Sequence, residues 1–138
     1  MKLNSDCIRD ILLLMEKADY EEVVYADTLF NSLQNYDKNT ISYSVKKMVE
    51  AGLITAAIVN GDDRSEIEFL DDITYYGHEF LNNVRSDTIW KNVKEIGTKI
   101  EVNSINALTQ IATGVISTLI NHQLGIWKNF FTAFLLYS

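Results

Sequence analysis

The chain has 138 residues, 47% of them apolar and 22% charged, with one cysteine, no proline and a formal charge of -7. Such a length and balance exclude a disordered or fibrous chain and give one domain, with an appended element, that buries its own core. The acid is uneven: residues 1–52 hold six Lys/Arg against nine Asp/Glu, residues 53–85 two against seven, and residues 86–138 four against three. Tight non-specific binding to a phosphate backbone is therefore disfavoured, although a local basic patch is not.

Asn4 is placed to cap a first helix whose stripe is Ile8, Ile11, Leu12 and Met15, ending around Lys17 to Asp19. Cys7 lies on that helix and reads as a small buried hydrophobe. As the only cysteine it cannot form an internal disulfide, which points to a reducing, cytoplasmic setting. The apolar run Ile11 to Leu14 is short and flanked by Asp10 and Glu16, so it reads as part of a helix rather than as a signal peptide. Val23 to Tyr25 form a short extended piece, and Asp27 is the expected cap of a second helix containing Leu29, Phe30 and Leu33.

The turn Asn35-Tyr36-Asp37-Lys38 leads into the most informative stretch, DKNTISYSVKKMVEAGL from Asp37 to Leu53. Ile41, Val45, Met48 and Val49 make a core-facing stripe, Asp37 or Asn39 can cap the start, and Gly52 supplies the left-handed residue that stops the helix. The other face carries Thr40, Ser42, Tyr43, Lys46 and Lys47, all hydrogen-bond donors, with Lys38 just ahead. A β-prone segment from Leu53 to Val59, the hairpin signal Asn60-Gly61 and a return strand from Ser65 to Leu70 follow. In that return strand Glu66 and Glu68 alternate with Ile67 and Phe69, predicting one core face and one wet face.

Helix, short strand, helix, helix, hairpin is the order of a winged helix-turn-helix, whose third helix enters the DNA major groove. The expected fold class is thus mainly α with a small β-hairpin: a winged helix-turn-helix followed by C-terminal helices. On this reading Lys38, Thr40, Ser42, Tyr43, Lys46 and Lys47 are the nucleic-acid-binding residues, with Arg64 on the wing. The wing tip Gly61-Asp62-Asp63-Arg64-Ser65-Glu66 opposes this, because its carboxylates repel phosphate on either side of Arg64.

Thr74 is placed to cap a fourth helix through Tyr75, Phe80, Leu81 and Val84; Ser86 or Asp87 caps a fifth, with Ile89, Trp90, Val93 and Ile96 on one face and Gly97 near its end. A sixth helix, from about Asn103 or Ser104, places Ile105, Leu108, Ile111, Ala112, Val115, Ile116, Leu119 and Ile120 in a heptad-like seam. Its other face shows Asn106, Thr109, Gln110, Thr113 and Thr118, and no charge occurs from Val102 to Trp127. The seam serves either homodimerisation or packing on its own domain. Ile126 to Tyr137 is apolar and aromatic with Lys128 its one charge, too short alone for the roughly 20 residues of a membrane span. Three segments result: residues 1–85, residues 86–125 and a tail, residues 126–138.

No catalytic set is expected. His78 and His122 are far apart, and CxxC, HExxH, P-loop and dinucleotide patterns are missing. Asp62-Asp63 reads as hairpin-tip chemistry and Asp71-Asp72 as a helix-start pair, so neither a metal nor a cofactor is expected.

Three stretches carry a family resemblance: MKLNSDCIRDILL at the start, ISYSVKKMVEAGLI from Ile41, and ITYYGHEFLNNVRSDTIWKNVKE from Ile73 to Glu95, extending more weakly through VISTLINHQLG. With these the chain resembles a family of small bacterial and phage winged-helix proteins, a domain of unknown function with a GHEFLNNVR-type block, broadly similar to the YjcQ-like winged-helix proteins. The resemblance implies a small cytoplasmic protein from prophage or mobile elements with a DNA-binding or regulatory role, and no catalytic residues to carry over. It also implies an end soon after Gln123-Leu124-Gly125, which makes the aromatic tail an extension. The expected partners are double-stranded DNA, a host protein that the acidic domain would inhibit or regulate, and a second copy of the chain. Membrane association through the C-terminal segment is the third and least favoured reading.

Overall fold

The computed structural model describes residues 1–137. The chain divides into two compact units, Met1–Arg85 and Ser86–Ser138. The first runs α1 (Ser5–Glu16), β1 (Val24–Tyr25), α2 (Ala26–Ser32), α3 (Lys38–Glu50), β2 (Ile54–Asn60), β3 (Ser65–Ile73) and α4 (Tyr75–Val84). The second holds α5 (Asp87–Lys99) and α6 (Ile105–Tyr137). The architecture is mainly α with a small β-sheet, and the first unit has the element order anticipated for a winged helix-turn-helix. The short extended piece β1 joins the hairpin, so the sheet has three antiparallel strands in the order β1-β3-β2.

Apolar spacing makes α1 the centre of the first unit. Cys7, Ile8, Ile11, Leu12 and Met15 are all buried, and the helix packs against α3, α4 and β3. Ile41, Val45 and Met48 of α3, Phe80, Leu81 and Val84 of α4, and Leu53, Ile54, Leu70 and Ile73 of the sheet complete the core. Tyr75, expected on the α4 stripe, is exposed instead, because it opens the helix one residue after the cap. The predicted side-chain caps at Asn4, Thr74 and Ser86 form, accepting from the backbone N–H of Cys7, Gly77 and Ile89. Asp27 does not cap α2. The helix leaves β1 without a connecting loop, so Tyr25 occupies the cap position while paired to Phe69, and Asp27 falls in the first turn.

The hairpin departs from the sequence reading in an instructive way. Asn60 pairs with Ser65, and the loop is Gly61–Arg64, closed by the Gly61 N–H donating to the Arg64 carbonyl at 2.8 Å. A two-residue Asn60-Gly61 turn would set Ile54 opposite Ile67. The observed register instead pairs Ile54 with Ile73, Ala56 with Leu70 and Ile58 with Ile67. Burial of Ile54, Leu70 and Ile73 on one face, with Ala56, Ile58 and Ile67 half-buried beside them, outweighs local turn preference. Two register shifts, between Thr55 and Ala56 and between Ala57 and Ile58, leave Asp71 and Glu68 as the extra residues of β3. Phe69 therefore leaves the face of Ile67 and lies opposite Ala57 and Tyr25, its ring edge-on to Tyr25 at 6.1 Å. The same irregularity keeps Asp71 and Asp72 in β3 rather than at a helix start, with Asp71 accepting from the Thr55 hydroxyl.

In the second unit Trp90 and Val93 of α5 are buried, as are Leu108 and Ala112 of α6, and Gly97 lets the two helices approach: a methyl group there would stand 2.8 Å from the Val102 carbonyl oxygen and 3.4 Å from Leu108. Helix α6 continues through Gly125 to Tyr137, so the tail is helical and of one piece with the seam.

Candidate nucleic-acid interface

Helix α3 is held firmly at both ends. Asp37 accepts from the Thr40 N–H at 2.7 Å, and this charge-assisted bond keeps the Asp37 carboxyl below the ordinary carboxylate range. At the other end Gly52, at φ +74, lets the Leu53 N–H reach the Met48 carbonyl and the Gly52 N–H reach the Val49 carbonyl. Leu53 and Met48 are both buried, so the stop is locked by apolar contact as well.

With Asp37 as cap, Asn39 becomes a helical residue of the first turn. Asn39, Ser42, Tyr43 and Lys46 then share the outward face, opposite buried Ile41, Ser44, Val45 and Met48. Lys46 and Asn39 are exposed, and Ser42 and Tyr43 are half-buried. Asn39 was not among the expected contacts. Its i, i+3, i+7 relation to Ser42 and Lys46 was the available signal, masked by its equal merit as a cap.

The other expected residues are engaged with their neighbours to differing degrees. Lys47 is half-buried, donates to Glu50 at 2.8 Å and lies over the Tyr43 ring at 5.4 Å. Its pKa is raised and that of Glu50 lowered, chiefly by their shared hydrogen bond. Lys38 sits over the Phe30 ring at 5.4 Å. Thr40 is committed to the helix: its N–H goes to Asp37 and its carbonyl accepts from the Ser44 hydroxyl. Arg64 is exposed at the wing tip, 3.8 Å from Glu66, in a shallow hollow shared with Asp62 and Asp63. The carboxylates predicted to crowd Arg64 do so.

Elsewhere on this unit the surface is acidic. A cleft of about 320 Å³ is lined by Glu16, Asp19, Glu21, Glu22, Asp71 and Asp72, with His78 at its edge. A polyanion would be repelled there. Cys7 is fully buried, and burial raises its pKa against a weaker opposing hydrogen bond to Ser44, so at neutral pH it is a protonated thiol packed in the core.

Residues 2–103 match the family model described as Hypothetical protein (DUF2513). The chain belongs to this family. It is also 33% identical over 122 residues to an uncharacterised protein of Haemophilus influenzae, a match spanning 87% of this chain and 99% of the relative. No solved structure matches. The DUF2513 match takes in all of α3 and the GHEFLNNVR block, Gly77 to Arg85. That block has a physical reason within the first unit. A side chain at Gly77 would collide with the Leu53 carbonyl oxygen and stand 2.8 Å from Ile73 Cγ2, so α4 can lie against the sheet only over a glycine. No helix among the described residues of this DUF2513 chain is long and apolar enough to cross a membrane.

Proposed function

We propose that Met1–Arg85 is a winged helix-turn-helix module of phage or mobile-element type that reads double-stranded DNA through the outward face of α3. The observation that carries the reading is the outward row Asn39, Ser42, Tyr43 and Lys46, with Asn39 and Lys46 exposed, on a helix that buries Ile41, Val45 and Met48 in the core. Asn and Lys supply the pairings that adenine and guanine edges present in the major groove, and hydroxyls serve bases or phosphates. The element order of the first unit, helix, short strand, helix, helix, hairpin, supports the same reading. Lys47, stacked on Tyr43 and paired to Glu50, acts as a phosphate contact that must exchange one partner for another. Affinity is modest, because the wing tip offers one guanidinium among carboxylates.

Selection of bound duplexes from a random library at two salt concentrations tests this. The expected outcome is a sequence preference, binding that weakens steeply with salt, and loss of that binding in Lys46→Glu with Lys47→Glu. Equal binding by the double variant removes α3 as the reader.

A second reading rests on the acidic cleft and the Asp62, Asp63 and Glu66 tip: a protein-interaction module that occupies a basic surface of a host protein. Recovery of a stoichiometric partner from nuclease-treated lysate, together with no shift of any duplex at low salt, selects it over the first.

A further inference from the structure

We infer that the C-terminal half of α6 is the contact surface of a homodimer, its occupant being the same helix of a second copy. The expected seam was Ile105 to Ile120, but Leu108 and Ala112 are already buried, and Ile105, Ile111, Val115 and Ile116 are partly covered. Beyond Ile116 the situation reverses. Every described residue from Ser117 onward is exposed, yet Ile120, Leu124, Trp127, Phe131 and Phe134 recur at the alternating four and three spacing of a coiled-coil seam. Leu119, Ile126, Phe130, Leu135 and Tyr137 widen that seam to about half the helix circumference at 3.6 residues per turn. The opposite arc is polar apart from Leu136 near the end: Thr118, Asn121, His122, Lys128, Asn129 and Thr132, while the uncharged Gln123 falls within the apolar arc.

Area decides that this face does not stay bare. The ten seam and flanking side chains are each between 47% and 92% exposed. At 150–250 Å² for a whole aromatic side chain, they present on the order of 900 Å². A monomer's largest apolar patch is roughly 300–600 Å², whereas a stable interface buries roughly 800 Å² on each partner.

Chemistry chooses the occupant. No charged residue lies within the apolar arc, and Lys128 is the one Lys, Arg, Asp or Glu from Val102 to Tyr137, placed at the arc's polar margin. Two copies can therefore meet without burying a charge or opposing like charges. A helix that lies on a lipid surface normally carries Lys and Arg along its polar arc, and this one has a single lysine in a chain of charge -7. The surface is also preformed. Trp127 stacks on both Phe130 and Phe131 at 6.1 Å. Phe130, Ala133, Phe134 and Tyr137 line a shallow, open apolar hollow of about 260 Å³, the i, i+3, i+4, i+7 quartet that receives a knob from a facing helix.

Sedimentation velocity on the full chain, across a range of concentration, is the test, with Trp127→Gln plus Phe131→Gln as the disrupting variant. Both side chains are exposed within one chain, so the far-UV circular dichroism of the variant should match that of the unaltered protein, and thermal unfolding should match at concentrations low enough for both to be monomeric. The expected result is a dimer at micromolar concentration that the double variant weakens at least tenfold, while Thr118→Gln on the polar arc leaves it intact. A second readout needs no variant: on dilution of the unaltered protein, tryptophan emission shifts to the red as Trp127 becomes wet, Trp90 being buried throughout. A monomer at tens of micromolar, or a dimer indifferent to the double variant, overturns the proposal. So does a monomer that floats with phosphatidylcholine or phosphatidylglycerol vesicles, which would assign the face to lipid.

Discussion

The two units of this chain treat apolar residues in opposite ways. Among the described residues, 18 of the 22 buried hydrophobic side chains lie in Met1–Arg85, and 14 of the 20 exposed large ones lie beyond it. Composition does not explain the contrast; geometry does. Four helices and a sheet enclose a volume, whereas a pair of helices of unequal length can cover only the stretch along which both run. The first unit is thus finished as a monomer, and the second is finished only where α5 lies along α6. A self-contained folded module is thus joined to a helix left open along half its length.

The harshest way to break the first unit is at Gly77. Gly77→Ala forces a methyl group into the backbone of Leu53, and since a carbonyl in β2's approach cannot rotate aside, α4 must move off the sheet. Destabilisation of about 3 kcal/mol is expected, at the upper end for overpacking. Chemical denaturation of the full chain measures it, and an unchanged midpoint would mean that α4 is not seated where the structure has it.

Arg9 comes next. It is almost wholly buried, with Nε donating to the Val84 carbonyl at 2.8 Å and a terminal nitrogen donating to the Arg85 carbonyl at 2.6 Å. These bonds satisfy the carbonyls at the end of α4 that the helix itself leaves open. Arg9→Met keeps the bulk and removes the donors, for an expected loss of about 2 kcal/mol. Arg9→Lys should recover only part of it, because an ammonium cannot serve both carbonyls at once in the same plane.

These two residues show where sequence reading stops. Caps and stripes are local, so Asn4, Gly52 and Thr74 were legible from spacing alone, and Asp37 and Ser86 each as one of two candidates beside Asn39 and Asp87. On α1, Arg9 looks like a solvated residue beside Asp10, and only the arrival of α4, some 75 residues later, reveals it as a helix cap. The strand irregularities at Glu68 and Asp71 were hidden for the same reason: they follow from which pairs the core must bury, not from any residue's preference. At the candidate interface the sequence singled out α3 and its lysines but missed Asn39, whose outward position depended on Asp37 winning the cap.

The second unit offers a prediction of opposite sign. Helices α3 and α5 end in the same way, with the Val102 N–H reaching back to the Gly97 carbonyl as Leu53 does to Met48. The left-handed position is Gly52 in α3, but Glu101, at φ 60, in α5. A non-glycine residue there costs roughly 1 kcal/mol. Glu101→Gly should therefore stabilise the second unit by up to about 1 kcal/mol, less the added freedom of glycine in the unfolded chain. Local amide exchange at the end of α5 reads this directly, and faster exchange in the variant would contradict it.

The smallest effect separates the units by pH. Glu16, at the end of α1, accepts from Arg85, and that hydrogen bond is the main cause of its lowered pKa. A carboxyl whose folded pKa is depressed contributes stability that is fully present above its unfolded value, near 4.5, and is lost as pH falls through the lowered folded value. The pair is well exposed and screened by solvent, so the contribution stays below about 1 kcal/mol. Glu16→Gln should therefore lower the stability of the first unit slightly at pH 7, and the curves for variant and unaltered protein should converge as pH falls below the lowered folded value. The bridge ties the end of α1 to the residue just after α4, both within Met1–Arg85, so amide exchange in α6 should not respond to the substitution at any pH. A matching response there would mean that the two units unfold as one, and that the contrast between a closed module and an open helix is not energetic.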